Sequence, residues 1–184
     1  MRKVIAAINM TLDGFCDHTV ITPDEEIHQY YADMLNEAGV VLYGRTTYLL
    51  MEDYWPAIVA NPTGDKSTDE FAVAIDKVPK IVFSHSLKNV NWASAKLANK
   101  DIEETVLELK QQPGKDIYAC SPGLIVSLAN LKLIDEYQLC IHPVIAAGGL
   151  ALFKNINEKT TLNLIKTKTF GSGAVTLYYL CSKL

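Results

Sequence analysis

Short, β-branched apolar runs recur along this chain, each too brief for a helix, and stretches with helical spacing separate most of them. Residues 3–10, 40–44, 80–84 and 116–120 are the clearest runs. Strand and helix in alternation lay down a mostly parallel sheet with helices on both faces, because each parallel crossover must pass over the sheet. The rhythm breaks near the end. Residues 160–170 and 173–180 are β-rich and flank Gly171-Ser172-Gly173, which predicts an antiparallel C-terminal hairpin. The expected class is therefore a three-layer α/β fold. Nothing resembles a linker, so residues 1–184 read as one domain.

Local signals place the helices. Thr22-Pro23-Asp24-Glu25 suits a helix start, with Thr22 as cap, Pro23 in the first position and Glu25 completing a capping box. Ile27, Tyr30, Tyr31, Met34 and Leu35 then line one face up to Gly39. A second helix follows Gly44 and should stop at Trp55-Pro56, and a short one covers residues 69–76. Residues 91–97 read as a short strand. Residues 101–111 read as an amphipathic helix with Ile102, Val106 and Leu109 inward. Residues 137–145 form a long apolar strand in which Pro143 suggests a bulge or a locally unpaired position.

Composition narrows the function. A net charge of −4 advertises no nucleic-acid surface, and no run is long enough to span a membrane. Cys16, Cys120, Cys140 and Cys181 are far apart, without metal-ligand spacing, which reads as reduced thiols in a cytoplasmic protein and no metal. The basic start Met1-Arg2-Lys3 lacks a clean cleavage site after its apolar stretch, so a first strand is the better reading than a signal peptide.

Three strand ends share a chemistry. Gly44-Arg45-Thr46-Thr47 joins a sharp turn, a guanidinium fork and two hydroxyls to a new helix start. Ser84-His85-Ser86 ends the next strand, and Cys120-Ser121-Pro122-Gly123 leads from a strand into a helix. In open α/β sheets ligands lie beyond the carboxyl ends of strands, so these ends suit a long phosphate-bearing ligand. The same residues also suit ordinary β–α turns, and turn chemistry alone does not choose.

Five further stretches carry a resemblance: Asn9-Met10-Thr11-Leu12-Asp13-Gly14, Leu42-Tyr43-Gly44-Arg45-Thr46-Thr47-Tyr48, Leu133-Ile134-Asp135-Glu136-Tyr137, Pro143-Val144-Ile145-Ala146-Ala147-Gly148-Gly149, and Phe170-Gly171-Ser172-Gly173. Together they resemble the dihydrofolate-reductase-like superfamily, in the branch of the RibD C-terminal reductase domain of riboflavin biosynthesis. That resemblance implies an NADPH-dependent reductase acting on a pteridine- or aminopyrimidine-like heterocycle, with 5-amino-6-(5-phosphoribosylamino)uracil reductase as one such activity. It implies that Gly44, Arg45, Thr46 and Thr47 hold phosphates, with Arg45 suited to the 2′-phosphate. Ser84, His85 and Ser86 would line the adenosine side, and Ser121, Pro122 and Gly123 would face the pyrophosphate. Asn9 to Gly14 would border the nicotinamide and the substrate. Two departures stand out. Pro122 removes a backbone donor that a pyrophosphate could use, and His28 stands where folate reductases carry a carboxylate.

His28 and Asp13 are the candidate catalytic groups, His28 because imidazole exchanges a proton near neutral pH. A solvent-facing helix histidine and a plain Asp-Gly turn are the alternatives. His18 and His142 read as structural. The reading is an NADPH-dependent oxidoreductase for a small molecule, plausible as a homodimer through its hairpin edge, with a catalytically inactive nucleotide-binding or ligand-sensing module as the alternative.

Overall fold

The structure, a computed structural model, describes residues 1–182. Its elements run β1 (Val4–Thr11), α1 (Glu25–Glu37), β2 (Val40–Gly44), α2 (Arg45–Ala60), α3 (Lys66–Lys77), β3 (Lys80–Phe83) and β4 (Ala95–Leu97). Then come α4 (Ile102–Gln111), β5 (Ile117–Ala119), α5 (Pro122–Asn130), β6 (Glu136–His142), β7 (Leu162–Thr169) and β8 (Val175–Cys181). The eight strands form a mostly parallel sheet in the order β4-β3-β2-β5-β1-β6-β8-β7, and β8 runs antiparallel to both β6 and β7. The expected fold class is what the chain adopts.

Two compact units divide the chain: Met1–Arg2 with Pro23–Tyr118, and Lys3–Thr22 with the chain from Ala119 onward. In the first, β2, β3 and β4 are parallel neighbours and Val41, Leu42 and Val82 are fully buried. Trp55 packs its ring against Phe71 at 4.5 Å between centroids and donates from Nε1 to Met51 Sδ at 3.2 Å. That packing explains a departure from expectation. Pro56 lies inside α2, which continues to Ala60, because tertiary contacts of the last turns offset the missing hydrogen bond. The first cap also differs, since Asp24 rather than Thr22 accepts from Ile27 N. In α3, Asp65 caps a helix that begins at Lys66, earlier than residue 69, because its carboxylate accepts from Thr68 N.

Lys80 opens β3 as one of the largest fully buried side chains, 1% exposed. Its ammonium donates to Val78 O at 2.9 Å and Ser94 Oγ at 2.6 Å, and sits 3.9 Å above the Trp92 ring. Burial pushes its pKa down to about 8, against the opposing pull of Asp76.

In the second unit β1 and β6 are parallel, and β8 lies against β6. The long strand stops at His142, so Pro143 follows its end and makes no bulge in it. Proline cannot donate to a ladder, and the strand ends where that donor would be needed. The irregularity in this unit lies in β7, between Leu164 and Lys166.

Gly39 enters β2 in a cramped place. A Cβ there would overlap the Lys115 carbonyl oxygen and lie 2.6 Å from Arg2 Nη2. Arg2 is itself buried and donates from Nε to that same carbonyl. Gly39→Ala should therefore destabilise the protein by about 2 kcal/mol, the usual size for overpacking. On a chain of this length that lowers the melting temperature by roughly 5 °C. A melting curve superimposable on that of the wild type would refute the steric argument.

Candidate functional site

The first unit brings two of the polar strand ends together. Gly44 pairs with Phe83 in the parallel β2–β3 ladder, so Gly44-Arg45 and Ser84-His85-Ser86 leave the sheet side by side. Arg45 and Thr46 are exposed, and Thr47 is half-buried at the first turn of α2. Ser84 Oγ accepts from Ser86 N at 3.2 Å and from Leu87 N at 3.0 Å, so this hydroxyl folds its own turn. His85 and Ser86 are left on the surface.

The helix starts fall into two groups. In α1, α3 and α4 an aspartate (Asp24, Asp65 or Asp101) caps the helix through its side chain, and acidic residues occupy the first turn. In α2 and α5 the cap positions are Gly44 and Ser121, neither makes a side-chain cap bond, and the first turn carries no acid. The positive ends of these two helices are therefore left without a built-in negative partner. Those are the two helix starts that the sequence marks for phosphate.

In the second unit, Ser121 is buried at the start of α5, Pro122 follows it, and Gly123 is exposed. A Cβ on Gly123 would meet nothing within 4 Å, so the surface beside it is open. Burial pushes the preceding Cys120 thiol up to about 12, which makes it a poor nucleophile.

Asp13 joins the loop after β1 to the loop after β6. Its Oδ1 accepts from Thr11 Oγ1 at 2.6 Å and Ala146 N at 3.1 Å, and its Oδ2 accepts from Ala147 N at 2.8 Å. The Thr11 hydroxyl first, and these backbone amides with it, hold the carboxyl below its usual pKa. Ala147 is held at φ +59°, a left-handed conformation rare for alanine, beside that carboxylate.

His28 lies in an aromatic cluster of the first unit. Its ring stacks on Phe71 with centroids 5.7 Å apart and meets the Trp55 edge at 6.2 Å, and Nδ1 is 3.3 Å from Thr68 Oγ1. Burial lowers its pKa, with Asp65 and Asp24 pulling the other way.

One group drew no functional reading from the sequence. His142 Nε2 lies 2.9 Å from Asn9 Oδ1 and 3.7 Å from Cys140 Sγ. The signal was present, because Glu136, Gln138, Cys140 and His142 occupy alternate positions and so share one face of β6.

A pH prediction follows from His28. Its folded pKa lies below the unfolded 6.5, so the folded protein binds fewer protons near that pH. Stability from this group is complete above the unfolded pKa and falls as acid is added below it. The urea midpoint should drop between about pH 7.5 and pH 5, and His28→Gln should flatten that slope. An equal slope in both proteins would place the acid sensitivity elsewhere.

Comparison with known proteins gives a consistent picture. The RibD C-terminal domain family matches residues 2–176. The uncharacterized protein YyaP of Bacillus subtilis is 32% identical over 186 aligned positions, covering 97% of this chain and 94% of YyaP. A crystal structure from Shewanella sp. PV-4, provisionally assigned to riboflavin biosynthesis, superposes with a TM-score of 0.76 at 16% identity. It is covered over 99% of its length, against 98% of this chain. The Thermotoga maritima diaminohydroxyphosphoribosylaminopyrimidine deaminase/5-amino-6-(5-phosphoribosylamino)uracil reductase gives a TM-score of 0.66 at 15% identity. That alignment covers 98% of this chain and 57% of the larger enzyme. At such identities the two structures speak to the fold alone.

Proposed function

This chain belongs to the RibD C-terminal domain family, and we propose that it is a cytoplasmic NADPH-dependent reductase of a small pyrimidine- or pteridine-like heterocycle. The observation that carries the reading is the capping asymmetry: α2 and α5 lack the aspartates that close α1, α3 and α4. A phosphate at a bare helix start is stabilised by backbone N–H groups and by the helix dipole. The donor set fits such a cofactor. In the first unit Gly44, Arg45, Thr46 and Thr47 would take a phosphate, with Arg45 forked onto the 2′-phosphate, while Ser84, His85 and Ser86 offer hydroxyl and ring contacts. In the second unit Ser121 and Gly123 would serve the pyrophosphate, with Pro122 contributing no donor. When bound, NADPH supplies the hydride, and the protein supplies orientation and exclusion of water.

Both candidate acid–base groups have architectural work. Asp13 holds the 146–147 loop, and His28 packs between Phe71 and Trp55. This favours, as a second reading, a nucleotide-binding module without turnover. NADPH at a hundred times its dissociation constant should stabilise the protein by about 2.7 kcal/mol, and NADH should do so less at equal concentration. Arg45→Ala should cost about tenfold or more in NADPH affinity while barely changing NADH, as expected for loss of a charge-assisted hydrogen bond. Stabilisation without NADPH oxidation across a panel of pteridines and aminopyrimidines selects the second reading. Absence of stabilisation sinks both.

The same proposal extends to a homodimer. β7 ends the strand order and exposes Leu164 and Ile165 at 53% and 52%, an edge and apolar surface that a second copy could cover. Light scattering should return twice the chain mass, and Ile165→Lys should halve it. A monomer in the wild type removes the idea.

A further inference from the structure

Helix α2 is apolar on nearly every side and yet is poorly covered. Leu49, Leu50, Tyr54, Ile58 and Val59 stand around it, but Tyr48 is its one buried residue. A helix with that pattern is normally buried all round. Here Leu49, Leu50 and Tyr54 are left 36%, 38% and 52% exposed. Beside them lies a cavity of about 770 Å³, walled by α2 from Leu49 to Pro56, by Asp76 in the last turn of α3, and by Asn91 to Ala93. The whole groove belongs to the first unit. Asp76 and Trp92 precede β3 and β4, at the amino ends of those strands rather than the carboxyl ends where Gly44 and Ser84 lie.

Two carboxylates are held in place along this groove. Trp92 Nε1 donates to Asp76 Oδ1 at 2.6 Å. The Tyr48 hydroxyl accepts from the amides of Asn91 and Trp92 and donates its own proton to the Glu52 carboxylate. Asp53 adds a third, exposed carboxylate next to Glu52. Among the described residues, none of the three is joined to a cationic side chain in an ion pair. Lys80 feels the charge of Asp76, but it is 1% exposed and donates inward to Val78 O and Ser94 Oγ. The open side of the groove therefore keeps its negative charge. An uncovered apolar wall under an acidic rim sets the chemistry of what covers it: apolar side chains for the leucines, cations for the rim. The apolar strip runs on to Tyr54, which does not line the cavity, so an extended segment covers it better than a compact molecule. From Leu49 to Pro56 the wall is about 10 Å long, room for two turns of a docked helix.

We propose that this groove docks a basic amphipathic segment of a partner protein, with its apolar side chains on Leu49 and Leu50 and its lysines or arginines against Glu52, Asp53 and Asp76. The proposal is independent of the reductase reading, since it uses none of the residues assigned to the cofactor. Apolar anchors supply the affinity, and the acidic rim selects basic segments over neutral or acidic ones.

The test uses the full chain and a twelve-residue peptide repeating Lys-Leu-Leu-Lys, with two controls that carry serine for leucine or glutamate for lysine. Calorimetric titration should show the first peptide binding and each control weaker by about tenfold or more. Leu50→Ser and Asp53→Lys, both at exposed positions, should each weaken binding by about tenfold, one through a lost apolar anchor and the other through a reversed charge. Glu103→Lys makes the same charge change on the exposed surface of α4 and should leave the affinity within about twofold. Carbodiimide, which joins a lysine amine to a carboxylate with loss of water, should link the peptide to Glu52, Asp53 or Asp76. A serine control that binds as well as the leucine peptide overturns the proposal, as does a loss in Glu103→Lys equal to that in Asp53→Lys. So do crosslinks confined to other carboxylates, and so does absence of peptide binding by the wild type. Two outcomes overturn it by replacing the occupant. Spermine binding that depends on Asp53, without peptide binding, makes the groove a small-cation site. Light scattering in which Leu50→Ser halves the mass makes it a contact between copies of this chain. The reductase reading stands in every case.

Discussion

The second unit depends on one carboxylate at the head of its ladder. Asp135 Oδ2 accepts from Val4 N at 2.8 Å, its own N–H donates to Val4 O at 2.9 Å, and its carbonyl accepts from Cys181 N at 3.1 Å. One residue thus ties the start of β1, the start of β6 and the end of β8. Side chains alternate along a strand, so a slip of one residue would turn every side chain to the other face. With the register pinned at Asp135, Asn9 must fall opposite Cys140 and Thr11 opposite His142, five and seven positions further along β1 than Val4. The polar patch at the carboxyl edge is set from the opposite end of the sheet. Asp13 then repeats the device one loop further on, where its two oxygens gather the amides of Ala146 and Ala147.

Much of this was legible from residue pattern. The strand–helix alternation, the closing antiparallel pair and the helix start after Gly44 all follow from local apolar period and turn chemistry, and local effects are what a sequence displays. What escaped was tertiary. Pro56 reads as a stop, yet the Trp55–Phe71 contact keeps α2 going. Lys80 opens an apolar run with nothing local to receive its charge, yet Trp92 and Ser94 make a buried seat for it, and neither lies in the same local stretch. His28 reads as a helix-surface histidine or a proton donor, and Phe71 and Trp55, from two other helices, give it a packing role that no single window contains. The polar row of β6 was visible as alternation but was masked by Tyr137, Leu139 and Ile141 between its members, which made the run look uniformly apolar.

The uncapped helices show how the chain can leave such starts open. A good cap contributes about 1 kcal/mol, so a bare start must be offset by packing elsewhere. In α2 the anchor is Tyr48, whose ring is buried and whose hydroxyl accepts from Asn91 N at 3.1 Å and Trp92 N at 3.3 Å. In α5 it is Ile125 and Leu128, both fully buried. Each helix is fixed by its body rather than its end. The end is then free to be selected for something other than stability, whereas α1, α3 and α4 spend theirs on aspartate caps.

The same division bears on which chemistry such a chain can support. A reaction that depended on an ionised nucleophile or a carboxylate pair would need groups held for that purpose. Here Cys120 is suppressed by burial, Asp13 is committed to Thr11 and two amides, and His28 is packed against aromatic rings. Hydride transfer asks less of side chains: the reducing power arrives with the cofactor, and the protein must place two rings against one another and choose which atoms meet.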